Sequence, residues 1–328
     1  MQVNDHAVAL PEPPASLAGR DFLRARDLTR AELDGLLELG IALKAAQKAR
    51  VPHALCSGRS LGMIFHKAST RTRTSFEVGM HQLGGNALNM AQGELQLGRG
   101  ETVRDTAMVL SRYLDAIMIR TFSQADIDEL AEFARVPVIN GLSDDHHPCQ
   151  ALADLLTLRE RFGRDLRGVR LAYVGDANNV CRSLVCAAVI AGVNVVVAAP
   201  EAYQLDASTV HFADGVTAAG GGSLRLTEDA DEAAQNAQVL ATDAFISMGQ
   251  EVEAAERLNA LMPGYRVDER RVALLADDGI VLHCLPAHYG QEIDESVLYG
   301  PHSAVWDQAE NRLHAQKALL ATLLAGSA

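Results

Sequence analysis

Short apolar runs alternate with helix-length amphipathic segments along most of the chain. Ser60–Phe65 (SLGMIF), Asp115–Ile119 (DAIMI), Val136–Asn140 (VPVIN), Val169–Val174 (VRLAYV), Val193–Ala198, Gln238–Thr242 and Ile280–Cys284 have the length and β-branched content of buried strands. Between them the apolar positions fall into helical spacing. Thr70–Leu83 carries Phe76, Met80 and Leu83 at i, i+4 and i+7, and Gly84-Gly85 ends it. Gln150–Phe162 sets Leu152, Leu155, Leu156 and Arg159 in register, and Asn178–Ala191 and Asn311–Leu324 are further helices. The uncharged stretch Ser183–Pro200 is long enough to raise a membrane span. Gly192 and Asn194 divide it into a helix and a β-branched strand, so it reads as a buried βαβ piece. Strand–helix alternation of this kind predicts an α/β fold, with parallel sheets covered by helices on both faces. Two such blocks meet near residue 150, which fits 328 residues as two doubly wound domains with the helix near Gln150 as the hinge.

A polar cluster follows six of the strands. These are HKASTRTR after the first, Arg120-Thr121, HHPCQ, GDANN, TDAFISMGQE and HCLP. Open parallel sheets bind ligands outside the carboxyl ends of their strands. Polar loops are ordinary there, but a recurrence of Arg, His, Asn and Cys points to one shared site.

Charge narrows the ligand classes. The formal net charge is −13, which argues against nucleic-acid or membrane partners. The excess is uneven: residues 1–160 are net −3 and residues 161–328 are net −10. The five cysteines lack regular spacing and form no C-x-x-C pair, which fits a reducing cytoplasm and no zinc site. The N-terminal MQVNDHAVALPEPPAS has no basic and apolar regions of a signal peptide and reads as a loose tail over 1–16.

The densest motif is His66-Lys67-Ala68-Ser69-Thr70-Arg71-Thr72-Arg73, where a strand runs into a helix. Ser69 and Thr70 stand at N-cap positions, the free N–H groups of a helix start attract anions, and Arg71 adds a bidentate clamp. The pattern is not a Walker loop. His147-Pro148-Cys149-Gln150 sets an imidazole and a carboxamide at another helix start. Gly175-Asp176-Ala177-Asn178-Asn179 mimics a dinucleotide turn, but G-x-G-x-x-G is not satisfied, which disfavours an oxidoreductase. Its two asparagines suit either a helix cap or an amino-acid carboxylate. Asp243 suits either a turn or an ammonium ligand. Cys284 is either an inert buried thiol or a functional one. It is no simple partner for His283, because neighbours on a strand point to opposite faces.

Together these residues resemble the aspartate/ornithine carbamoyltransferase family, from about Ser16 to Leu324. The stretch Ser69 to Arg73 is shared by the whole family. Asp243…Ser247-Met248-Gly249 and His283-Cys284-Leu285-Pro286 are similar to its ornithine branch and absent from the aspartate branch. The resemblance implies that Ser69, Thr70, Arg71 and Thr72 bind the phosphate of carbamoyl phosphate, with Arg120 on phosphate and carbonyl oxygen. It implies His147 and Gln150 on the carbamoyl group, and Cys284, Leu285 and Arg312 completing that pocket, with a cis Leu285–Pro286 bond. It gives ornithine to Asn179, Asp243, Ser247 and Met248, and gives Gln96 a reach into a neighbouring subunit's phosphate site. Arg120, His147, Asp243 and Cys284 are the implied catalytic groups.

The implied domains are 17–149 plus 309–328 for carbamoyl phosphate and 150–308 for the amino acid, with the C-terminal helix packing back on the first. The implied assembly is a homotrimer or a multiple of trimers with shared sites. The implied reaction carries the carbamoyl group to the δ-amine of L-ornithine, giving L-citrulline and phosphate in arginine biosynthesis, without a metal or organic cofactor. Putrescine and N-acetylornithine are the alternative amines. A non-catalytic paralogue would have lost the arginines, His147 or Cys284, all of which are present. Three positions depart from the commonest family pattern: His66 replaces an acidic residue, Ala177 a glycine and Arg182 a histidine.

Overall fold

The computed structural model describes residues 10–91, 100–247 and 249–325. They fall into two units, Met1–Leu156 with Asn311–Ala328, and Thr157–Glu310. The first contains α1 (Arg30–Lys48), β1 (Ser60–Phe65), α2 (Thr70–Gln82), β2 (Asn86–Ala91), α3 (Val103–Leu110), β3 (Ala116–Arg120), α4 (Gln124–Phe133), β4 (Val138–Leu142) and the start of α5 (Pro148–Phe162). The second contains β5 (Arg170–Val174), α6 (Asn179–Ile190), β6 (Asn194–Ala198), α7 (Ala207–Ala218), β7 (Leu224–Thr227), α8 (Ala230–Ala234), β8 (Val239–Thr242), α9 (Ala254–Tyr265), α10 (Glu269–Val272), β9 (Ile280–His283), α11 (Glu295–Leu298) and the start of α12 (Val305–Leu323).

Both sheets are parallel throughout, ordered β2-β1-β3-β4 in the first unit and β7-β6-β5-β8-β9 in the second. This is the expected pair of doubly wound α/β domains. The strand order reverses between β1 and β3 in one sheet and between β5 and β8 in the other. A crevice outside the carboxyl ends of the strands is expected at each reversal. Strands covered on both faces carry continuous apolar runs. Leu61, Met63 and Ile64 of β1 and Ile117, Met118 and Ile119 of β3 are buried accordingly. In the second unit Ala172, Val174, Leu240 and Val281 pack with Phe245, Leu261, Ile293 and Leu298. The uncharged stretch 183–200 is α6 followed by β6, with Gly192 turning between them at φ +83°. No helix among the described residues is long and apolar enough to cross a membrane.

The C-terminal helix packs back on the first unit through buried polar groups as well as leucines. Lys44 Nζ donates to Asn311 Oδ1 at 2.8 Å. Lys317 Nζ lies 2.7 Å from His53 Nε2 and donates to Gln82 Oε1 at 2.9 Å. Burial brings the Lys317 ammonium down to about 8.

Three expectations need correction. Residues 14–16, expected as the end of a loose tail, are docked: Ser16 Oγ donates to Glu32 Oε1 at 2.8 Å, and Pro14 packs over Gly35. The last helix begins at Val305 rather than Asn311. The strands β2 and β7 were not expected. Both are edge strands and only partly buried, so neither carries the apolar run of a central strand.

Candidate active site

In the first unit the site grows from the β1–α2 junction. Ser69 is extended (φ −159°, ψ 112°) and caps α2, its hydroxyl accepting the Thr72 N–H at 3.1 Å. Thr70 and Arg71 are exposed on the first turn, while Thr72 faces inward. Arg312, nearly buried on α12, donates Nη2 to Thr72 Oγ1 at 3.2 Å and Nη1 to Gln150 Oε1 at 2.7 Å. Arg120 ends β3, at the strand reversal, and is also buried.

His147 precedes α5 and is buried. Burial and then the cations Arg312, Arg120 and Arg71 hold its imidazole well below the usual histidine range, so it is neutral. Three guanidiniums acting on one imidazole, beside a helix start, describe a site for an anion with a polar neutral group attached. Lys67 pairs with Asp144 and lies 4.1 Å above the Phe122 ring. The divergent His66 sets Nδ1 3.0 Å from Thr121 Oγ1.

In the second unit Asp243 follows β8, at that sheet's reversal, and is held on both oxygens. The Cys284 thiol donates to Oδ1 at 2.9 Å and Asn178 Nδ2 donates to Oδ2 at 2.8 Å. Asn178 also caps α6, its Oδ1 accepting from Val180 and Cys181 N–H. A buried carboxylate with thiol and amide around it suits an ammonium ligand. Ser247 is half-buried, and its N–H donates to Gln250 Oε1 at 3.0 Å. Asn179 is buried at the first helical position. Leu285 is left-handed at φ +59°, and the Leu285–Pro286 peptide is cis. The Leu285 N–H donates to His283 Nδ1 at 2.9 Å, which leaves Nε2–H for Glu292 Oε1 at 3.1 Å. His283 therefore turns away from Cys284.

Several functional contacts were not legible beforehand. Asn178 reaches Asp243 with its side-chain amide. Arg257 on α9 pairs with Asp176, donates Nε to Phe245 O at 2.8 Å, and stacks 5.0 Å from the Tyr203 ring. It thereby braces the turns after β5 and β8. Burial, with Asp243 adding and Arg257 opposing, pushes the Asp176 carboxyl up to about 6. Only the position of Asp176 in a strand-end cluster hinted at it. Gln96 and Met248 lie outside the described residues.

Comparison with known proteins follows the same division. Residues 20–160 match the carbamoyl-P binding domain, and residues 167–323 the Asp/Orn binding domain, of the aspartate/ornithine carbamoyltransferase family. The ornithine carbamoyltransferase of Methanoculleus marisnigri is 53% identical over 307 residues, 94% of this chain and 97% of that protein. The structure of the Pyrococcus furiosus ornithine carbamoyltransferase superposes with a TM-score of 0.91 at 50% identity, covering 95% of this chain and 99% of that one. That of Giardia lamblia ornithine transcarbamoylase reaches 0.85 at 30% identity, covering 94% and 99%.

Proposed function

The chain belongs to the aspartate/ornithine carbamoyltransferase family, and from that membership we propose how its residues carry the reaction. It is an enzyme that transfers the carbamoyl group of carbamoyl phosphate to the δ-amine of L-ornithine, giving L-citrulline and phosphate.

The first unit takes carbamoyl phosphate. The α2 N-terminus with Ser69, Thr70, Arg71 and Thr72 receives the phosphate, and Arg120 spans phosphate and carbonyl oxygen. His147, Gln150 and Arg312 hold the carbamoyl group. The second unit takes ornithine through Asn179, Asp243, Ser247 and Met248, with Asn178 orienting Asp243. Cys284 and Leu285 complete the carbamoyl pocket. The amine attacks the carbonyl carbon and the tetrahedral adduct expels phosphate. No covalent enzyme intermediate is needed, so the work is orientation and charge stabilisation. Arg120 and the neutral His147 face the developing oxyanion, while Arg71 and the helix start face the leaving phosphate. Asp243 and Cys284 hold the amine and assist loss of its proton.

The observation that carries the amine assignment is the Asp243 carboxylate gripped by Cys284 and Asn178. Amine-dependent phosphate release from carbamoyl phosphate with a panel of amines tests it. Ornithine should exceed putrescine and N-acetylornithine by about 100-fold in kcat/KM or more. A preference for either rival overturns the assignment.

We further propose a homotrimer, or a multiple of trimers, with Gln96 entering a neighbour's site. The exposed apolar side chains Leu88 on β2 and Met108 and Val109 on α3 support an interface on the first unit. All five cysteines are free thiols, which supports the cytoplasm as location. A relative 50% identical is named as the anabolic enzyme of Pyrococcus furiosus, which supports a role in arginine biosynthesis.

A further inference from the structure

Gln150 and Asp154 stand one turn apart on α5, and Gln150 Nε2 donates to Asp154 Oδ1 at 2.8 Å. On the other side Arg312 Nη1 donates to Gln150 Oε1 at 2.7 Å. All three side chains are almost fully buried, at 2%, 1% and 4% exposure for Gln150, Asp154 and Arg312. Arg312 also donates to Thr72 Oγ1 at 3.2 Å, so the chain of bonds runs from the phosphate helix through α12 into α5.

The chemistry of the two flanking groups leaves the amide no choice. A guanidinium only donates and a carboxylate only accepts. Turning the amide over would set its NH2 against Arg312 and its oxygen against Asp154, breaking both bonds without water to replace them. The oxygen must therefore stay on the Arg312 side. A carboxamide oxygen has two lone pairs, and Arg312 uses one.

We propose that Asp154 is a positioning residue that fixes the polarity of the Gln150 amide, so that the enzyme reads the NH2 of carbamoyl phosphate and rejects acetyl phosphate. The inference rests on the reading that Gln150 holds the carbamoyl group. Acetyl phosphate offers the same phosphate and carbonyl but a methyl group in place of NH2. An amide free to rotate could turn either end toward the ligand, whereas a locked one offers an acceptor that only the NH2 satisfies. Sites built to bond a polar group discriminate strongly against an analogue lacking it.

The test is Asp154→Asn in the full-length enzyme, which keeps the shape but can present an N–H as well as an oxygen to Gln150, so the carboxylate's half of the lock is lost. The KM for carbamoyl phosphate is measured alongside the Ki of acetyl phosphate as competitor. The KM should rise about 10-fold or more, while the acetyl phosphate Ki stays within about twofold of the parent's. Asp154→Ser, shorter and also able to donate, serves if the Asn variant does not fold. In a folded variant, unchanged constants overturn the proposal. A rise of both by the same factor also overturns it, because a merely structural carboxylate would weaken every ligand alike. Gln150→Met separates the two levels. If it leaves the discrimination intact, the carbamoyl reading of Gln150 fails. If it abolishes the discrimination while folded Asp154→Asn keeps it, only the role of Asp154 fails.

Discussion

His147 shows how one side chain joins burial, charge and reaction. Its imidazole is neutral because burial and three guanidiniums oppose a fourth positive charge. A neutral ring still offers one N–H to a developing oxyanion and keeps its proton out of the amine's deprotonation. The same shift enters stability. The folded state binds a proton on His147 less readily than the unfolded chain, whose histidines titrate near about 6.5. Stability from this residue is thus fully present above that value and is lost as pH falls below it toward the folded value. Burial moves His53 and His66 in the same direction. Thermal midpoints followed by calorimetry from pH 7.5 to 5 should therefore fall, and His147→Gln should flatten part of that fall. A variant with the parent's full slope would mean that His147 accepts its proton in the folded state. The pattern His147-Pro148-Cys149-Gln150 announced a helix start, but a histidine alone says nothing of its protonation. That depends on Arg120 and Arg312, which no local spacing connects to it.

At the level of elements, the helix start of α2 does two things that can be separated. Ser69 caps the helix, and so does Thr29 for α1, with the same hydroxyl-to-N–H bond. Either change to alanine should cost about 1 kcal/mol, roughly 2–4 °C in thermal midpoint for a protein of this class. Only Ser69→Ala should also raise the KM for carbamoyl phosphate, by about 10-fold if its hydroxyl donates to the phosphate. Equal kinetic effects from Ser69→Ala and Thr29→Ala would remove Ser69 from the phosphate site. Elements of this kind were legible because their signals are local. Buried central strands such as SLGMIF and VRLAYV stand out as apolar runs, and Gly84-Gly85 marks the end of α2 within one residue. The edge strands β2 and β7 were hidden because half-exposed strands alternate weakly. The Arg257–Asp176 brace was hidden because 81 positions separate its partners and an arginine in an amphipathic helix is unremarkable by itself. Asn178 was read as cap or ligand, and it proves to be a cap that also steers Asp243.

Across the whole molecule, net charge and ligand charge part company. A total of −13 disfavours an anionic substrate, yet Arg71 and Arg120, from the half that is net −3, gather around His147 together with Arg312, which returns on the C-terminal helix. The half that is net −10 is the one expected to attract the ammonium groups of ornithine, at distances where the summed field of a domain matters. The remaining question at this scale is whether a single chain suffices for turnover. If Gln96 of one subunit completes the phosphate site of the next, a site needs Arg71 from its own chain and Gln96 from a neighbour. Arg71→Ala and Gln96→Ala homotrimers should then each be nearly inactive. Dissociated, mixed in equal amounts and reassembled, they should regain activity. Every mixed ring of three contains one position where an intact Arg71 meets an intact Gln96, so random reassembly restores about a quarter of the parent's sites. Sites confined to one subunit would give no recovery on mixing, because each would still lack one of its two groups. Recovery near a quarter, measured as citrulline formed per chain, would establish that each site takes Arg71 from one subunit and Gln96 from another.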